Sequence, residues 1–227
     1  MIAPTRWLLH LENHLPVARK GDDPEGVHQV RVAGRRLRVW LELGGYRVLH
    51  DDLRWLVQSA GKVRDLEVML HSPLPKPLAA WLAKKLQAAR EAFTPMLDAS
   101  RLAGLTRALR NLPPLSILEA EKRLERFERR VQKREAAWNA TRSFEDLHAL
   151  RRALRRLRYA REYLGQDVED LKALQEALGQ LNDAEVALRY LEEFEAAGGR
   201  AAPRYRKLLE TQREQGLATA YELLAKR

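Results

Sequence analysis

Apolar residues recur three and four positions apart along most of the chain, and no stretch alternates apolar and polar residues for long enough to make a convincing strand. The pattern predicts an all-α fold. A first helix is expected from about Thr5 to Lys20, then the breaker-rich turn Gly21-Asp22-Asp23-Pro24-Glu25-Gly26, then a second helix ending at Gly44-Gly45. Asp51 and Asp52 can cap a third helix that continues towards His71. The run Ser72-Pro73-Leu74-Pro75-Lys76-Pro77 cannot stay helical, because each proline lacks an amide donor and restricts its predecessor. A fourth helix follows, with a kink expected at Pro95.

After Asn111-Leu112-Pro113-Pro114 the same order begins again. Ser116 and Glu119 have capping-box spacing and open a long charged helix; Ser143 and Asp146 start the next, which Gly165 ends. Two more helices are expected around Gly198-Gly199 and Pro203. Each half then reads as a four-helix bundle, about 1–112 and about 115–227, within one domain spanning 1–227.

The halves share more than helix order. His28-x-x-Arg31-x-x-x-Arg35-Arg36-Leu37-Arg38 returns as His148-x-x-Arg151-x-x-x-Arg155-Arg156-Leu157-Arg158, in a chain with 6 histidines. Downstream, Leu56-x4-Gly61-x3-Asp65-x-Glu67-Val68-x-Leu70 matches Leu174-x4-Gly179-x3-Asp183-x-Glu185-Val186-x-Leu188. A weaker match pairs Lys84, Leu86, Arg90 and Glu91 with Lys207, Leu209, Arg213 and Glu214. Order kept while offsets drift is the signature of duplicated helices joined by loops of different length.

Projected at 3.6 residues per turn, positions 28, 31, 35 and 38 fall in a stripe about 80° wide and about 15 Å long, with Val30, Leu37 and Leu41 opposite. Positions 148, 151, 155 and 158 do the same against Leu150, Leu154 and Leu157. Arg36, Arg152 and Arg156 lie on the flanks. Between its histidine and its last arginine neither segment holds an acid. Like charges at i,i+4, such as Arg31/Arg35, cost an exposed helix about 0.2–0.5 kcal/mol, so the stripes oppose local stability and point to a functional face. Guanidinium groups stay charged and grip oxyanions with paired donors, which suits phosphates repeated along a chain. A histidine at the end of the stripe donates as a neutral ring or adds charge once protonated. Asp65, Glu67, Asp183 and Glu185 are placed to orient neighbouring arginines.

Composition narrows the partners. The 227 residues carry 41 Lys+Arg against 31 Asp+Glu, a net charge of +10 and a pI near 10.1, which favours nucleic acid, acidic lipid headgroups or a phosphate-rich ligand. There is no cysteine, which removes disulfides, thiolate catalysis and Cys-based zinc sites. No uncharged stretch nears the roughly 18 residues of a membrane span, and no signal peptide is apparent, so a cytoplasmic protein without membrane insertion is expected. His10 and His14 have i,i+4 spacing, but no further ligands accompany them and they read as surface histidines. The tryptophans Trp7, Trp40, Trp55, Trp81 and Trp138 are assigned to helix packing.

The doubled His-x-x-Arg-x-x-x-Arg-Arg-Leu-Arg helix, followed by Gly61-Lys62-Val63-Arg64-Asp65-Leu66-Glu67-Val68, resembles the CHAD domain, the conserved histidine α-helical domain, over essentially the whole chain. The resemblance implies two pseudo-symmetric helical bundles whose basic faces meet at a central positive channel or groove, and non-catalytic binding of inorganic polyphosphate. Motif by motif, the implied polyphosphate-binding residues are His28, Arg31, Arg35, Arg36 and Arg38, then His148, Arg151, Arg155, Arg156 and Arg158. Lys62, Arg64, Lys84, Arg90, Lys207 and Arg213 join them from the accompanying helices. No cofactor, metal or catalytic residue is expected; polyphosphate granules or a polyphosphate-metabolising enzyme are the further expected partners. The second copy departs from the first, with Gln180 and Asn182 in place of Lys62 and Arg64, so the first half is expected to hold phosphate more tightly.

Metal binding through His28 and His148 is a third alternative, but no further ligands accompany them to complete a site, and two other rival readings remain at this level. An Arg stripe also suits an RNA backbone, with Tyr159 and Tyr163 as stacking candidates that at helical spacing are more often core or rim residues. Phosphoryl transfer through a phosphohistidine, with Glu42 or Glu162 as acid, is the other; the sequence contains no Walker-type loop and no His-Glu-x-x-His pair to support it.

Overall fold

A computed structural model describes residues 1–200 and 202–225, and among them the fold is all-α. Helices α1 (Thr5–Lys20), α2 (Pro24–Gly44), α3 (His50–His71) and α4 (Lys76–Phe93) are followed by a 3-10 turn (Thr94–Leu97) and α5 (Ser100–Asn111). Then come α6 (Ile117–Thr141), α7 (Phe144–Tyr163), α8 (Glu169–Ala196) and α9 (Pro203–Ala225). Among the described residues no helix is long and apolar enough to cross a membrane.

Local chemistry sets the ends of the two basic helices. Asp23 accepts from the Glu25 amide at 2.8 Å and Pro24 supplies a preset φ at the first position of α2; Gly45, at φ 69°, closes it. Ser143 accepts from the Asp146 amide at 3.2 Å to open α7, and Gly165 at φ 69° follows its last turn. At Pro95 the outcome differs from the expected kink. The missing proline donor ends α4 at Phe93, the chain tightens into the 3-10 turn, and Ala99 in extended conformation starts α5 as a separate helix. The first half therefore carries a helix beyond the four expected.

The chain divides into two compact units: Met1–His71 with Leu82–Leu124, and Ser72–Trp81 with the residues from Glu125 onward. The division runs through α4 and α6 rather than through the proline-rich breaks. Trp81 meets the Phe194 ring edge-on at 5.6 Å, which ties the start of α4 to α8 in the second unit.

In the first unit the apolar stripe opposite the arginines builds the core. Val30, Leu37, Trp40 and Leu41 of α2 are fully buried, with Leu11 of α1 and Leu56 of α3. Trp40 donates from Nε1 to the Ile2 carbonyl at 3.0 Å, and Ile2 pairs with Leu115 in a short antiparallel bridge, so the indole anchors the chain's first residues. In the second unit Leu150, Leu154 and Leu157 of α7 are buried in the same way, with Leu171, Leu178 and Leu191 of α8.

One close approach sets the position of the α2 amino end. A Cβ on Gly26 would stand 2.4 Å from the Ala18 amide nitrogen, a backbone atom that cannot rotate aside. Gly26→Ala should therefore destabilise the protein by about 1–3 kcal/mol and push α1 away from the turn that carries His28. Thermal unfolding of the variant checks this, and an unchanged melting temperature would contradict it.

Candidate functional site

The two basic segments occupy equivalent helices and are buried alike. In positions 28–38 and 148–158 the sequence of buried and half-buried residues is the same except that Arg152 is more exposed than Val32. His28, Arg31, Arg35, Arg36 and Arg38 are all half-buried, as are His148, Arg151, Arg155, Arg156 and Arg158. Such arginines lay their stems along the protein and keep the guanidinium groups towards water, which limits their freedom before any ligand arrives.

Both histidines lie among cations. Burial lowers the His28 pKa most, helped by Arg64 of α3 and by Arg35 and Arg31, against an opposing pull from Glu25. Burial again leads for His148, with Arg152, Arg151, Arg155 and Arg189 adding to it, and its pKa falls to about 4. Both rings are therefore neutral near pH 7. A neutral imidazole keeps one donor and one acceptor, and becomes a cation when an anion settles beside it.

Acidic residues on the following helix hold several of the arginines. Arg31 donates to Asp65 at 3.0 Å, and its guanidinium lies against Gly61, where an added Cβ would come within 3.3 Å of Nη2. The absence of a side chain at Gly61 gives Arg31 its bed on α3. Glu67 takes Arg90 of α4 at 3.0 Å and has Arg64 at 3.8 Å. In the second half Glu185 of α8 faces Arg213 of α9 at 3.9 Å. The weak sequence match between 84–91 and 207–214 thus corresponds to a shared contact, a glutamate meeting the arginine of the next helix.

The halves diverge where the sequences do. Arg151 donates to Asn182 Oδ1 at 3.4 Å, so the residue standing in the place of Arg64 supplies an acceptor instead of a cation. A Cβ on Gly179 would meet nothing within 4 Å, unlike its counterpart Gly61. Arg189, seven residues and two turns beyond Asn182, brings a cation to His148 from α8 that the repeat pattern does not announce, since position 71 in the first half is a histidine. Arg152, placed on the flank from sequence, also bears on His148.

Not every expected residue joins these groupings. Lys62 is exposed and stands 200° around α3 from Arg64, and Lys84 and Lys207 are exposed and about 240° from Arg90 and Arg213. Arg36 lies 4.1 Å over the Trp7 ring, a cation–π contact that fastens α2 to α1. Arg158 pairs with Glu162 at 3.3 Å, one turn along α7. His10 and His14 are engaged in hydrogen bonds, His10 with Gln29 Oε1 at 2.7 Å and His14 with the His10 carbonyl at 2.8 Å. Among the described residues no three His, Cys, Asp or Glu side chains are grouped to hold a metal ion.

Residues 5–192, including both basic helices and the glutamate-bearing helices after them, match the model of the CHAD domain. The chain belongs to the CHAD family. The fold of this CHAD domain is similar to the crystal structure of the CHAD domain from the plant Ricinus communis, with 26% identity, a TM-score of 0.74, and coverage of 98% of this chain and 89% of that one. It is also similar in fold to PptA from Streptomyces chartreusis, at 18% identity and a TM-score of 0.68 over the whole of both chains. Comparison with curated proteins finds no match.

Proposed function

We propose that this CHAD domain binds inorganic polyphosphate through the His28 and His148 faces and does not turn it over. The observation that carries the reading is the repetition of one arrangement: a half-buried histidine, arginines at the same three helical steps, and the same burial pattern beneath them. Two such faces suit a ligand that is itself a repeat of one anionic unit. Phosphate oxygens would accept from the guanidinium groups of Arg31, Arg35 and Arg38, and of Arg151, Arg155 and Arg158, with His28 and His148 at the amino ends of the stripes. Arg36 and Arg156 flank them. Arg64, Arg90 and Arg213 add cations from the neighbouring helices, and Lys62, Lys84 and Lys207 raise the surrounding potential from more distant positions. Placement in the cytoplasm at polyphosphate granules, or beside an enzyme that makes or consumes polyphosphate, is part of the same proposal.

RNA is the main competitor, and the aromatic residues bear on it. Tyr159, a candidate for stacking on a base, is buried in the core at 5% exposure. Backbone contacts alone would leave RNA with the charge of a polyphosphate chain but lower charge density. In a calorimetric competition at matched charge and salt, long polyphosphate should displace single-stranded RNA, and RNA binding as tight as polyphosphate would overturn the assignment. Incubation of the pure protein with polyphosphate and magnesium should release no orthophosphate. Steady release would establish phosphoryl transfer instead.

A further inference from the structure

Glu67 is the buried charged side chain among the described residues, with 3% of its side chain exposed. A carboxylate taken out of water needs compensation, and an apolar side chain of similar volume would cost the fold less. Its compensation is incomplete. Oε1 accepts from Arg90 Nη2 at 3.0 Å, while Oε2 is buried with no hydrogen-bond partner and Arg64 Nη1 stops 3.8 Å short of it. The carboxylate is thus anchored on one side and reaches towards Arg64 on the other. Arg64 is the cation with the largest effect on His28. The acid that Arg90 anchors therefore faces the arginine whose charge bears most on His28.

The second half carries a reduced version of this arrangement. Glu185 faces Arg213 across 3.9 Å, but Asn182 occupies the place of Arg64, and the α8 cation that bears on His148 is Arg189, one turn beyond that acid.

We propose that Glu67 is a positioning residue for anion binding: Arg90 fixes one of its oxygens, and the other holds Arg64 in the orientation that presents its guanidinium beside His28. The proposal rests on the polyphosphate-binding reading above. Its physical content is opposed in sign to simple electrostatics. A negative charge behind an anion site weakens binding by repulsion, whereas an acid that pre-orders a long cationic side chain lowers the ordering cost that binding must meet. In Glu67→Gln the amide can still accept from Arg90, but its NH2 group replaces the oxygen facing Arg64, and the arginine is released.

The test is a double-mutant cycle in long-chain polyphosphate affinity, read by calorimetry on wild type, Glu67→Gln, Arg64→Ala and the double variant. Glu67→Gln should bind about tenfold more weakly than wild type, the loss expected for one charge-assisted contact, and should have no further effect once Arg64 is alanine. Affinity that is unchanged or tighter in Glu67→Gln would show the acid only repelling the ligand and overturn the proposal. Equal weakening with and without Arg64 would show a general structural role and overturn it too. If Glu67→Gln fails to fold, Glu67→Asp, which keeps the charge and shortens the reach by about 1.5 Å, is run through the same cycle with the same criteria. Wild-type protein that fails to bind polyphosphate overturns the underlying reading instead, a result separate from either outcome of the cycle.

Discussion

Replacing Arg31, Arg35 and Arg38 together with alanine should weaken long-chain polyphosphate binding by about three orders of magnitude. A hydrogen bond to a charged group contributes about 1.5–3 kcal/mol, so each lost guanidinium costs about tenfold at the lower end of that range. The dependence of affinity on salt should flatten at the same time, because fewer counterions are displaced when fewer cations meet the ligand. The fold should be retained, with a moderate loss of stability from the packing of the three half-buried stems. Removing the Arg31/Arg35 repulsion returns a few tenths of a kcal/mol, and the Arg31–Asp65 pair, partly exposed on both sides, contributes about 1 kcal/mol or less. The matching variant at Arg151, Arg155 and Arg158 should lose less, about a hundredfold, because Asn182 stands in place of Arg64 and leaves that position of the face without a cation, while Arg152 and Arg189 remain beside His148 in the variant. Asn182→Arg should narrow that difference. Titration calorimetry on the two triple variants decides the matter: unaltered affinity in either would remove that face from the site, and equal losses would contradict the asymmetry.

The sequence revealed the parts of this arrangement that depend on helix geometry alone. Once α2 and α7 are helices, the angular positions of His28, Arg31, Arg35 and Arg38 are set by 100° per residue, and the buried leucines opposite them follow from the same projection. The exchange of Arg64 for Asn182 is likewise visible as letters in an alignment of the halves. What remained hidden depends on neighbouring helices. The charge of Arg189 bears on His148 because α8 packs against α7, and no counterpart in the first half draws attention to it. The cation–π contact of Arg36 with Trp7 was equally invisible, because the indole belongs to another helix. Lys62 and Arg64 are equivalent by charge, although residues two positions apart on a helix point to nearly opposite sides. The break after α4 is decided locally. A proline can kink a helix or end it, and the choice at Pro95 was made by the 3-10 turn and the extended Ala99 after it.

Polyphosphate binding should draw protons from solution and strengthen as the pH falls. The free His148 ring is held at about 4 by burial and by Arg151, Arg152, Arg155 and Arg189, and the His28 ring is lowered by burial and by Arg64, Arg35 and Arg31. Bound phosphate opposes these cations and raises both values. If His148 returns to its ordinary value of 6.5 in the complex, it alone tightens binding by about 30-fold at pH 5 relative to pH 8, where both states are neutral. Calorimetry in buffers of different ionisation enthalpy should show net proton uptake near pH 6, reduced in His148→Gln. Stability without ligand runs the other way. The unfolded histidine protonates near 6.5 and the folded one near 4, so the unfolded state binds more protons between these values and stability declines as the pH falls through that window, levelling off below it. Glu67 and Glu185 are pushed up by burial and gain protons on folding, an opposite contribution that the comparison of wild type with His148→Gln cancels. The variant should lose less melting temperature than wild type between pH 7 and pH 4.5. Identical pH profiles for the two proteins, in binding and in melting, would mean that His148 does not titrate against its arginines and acts only as a neutral hydrogen-bonding group.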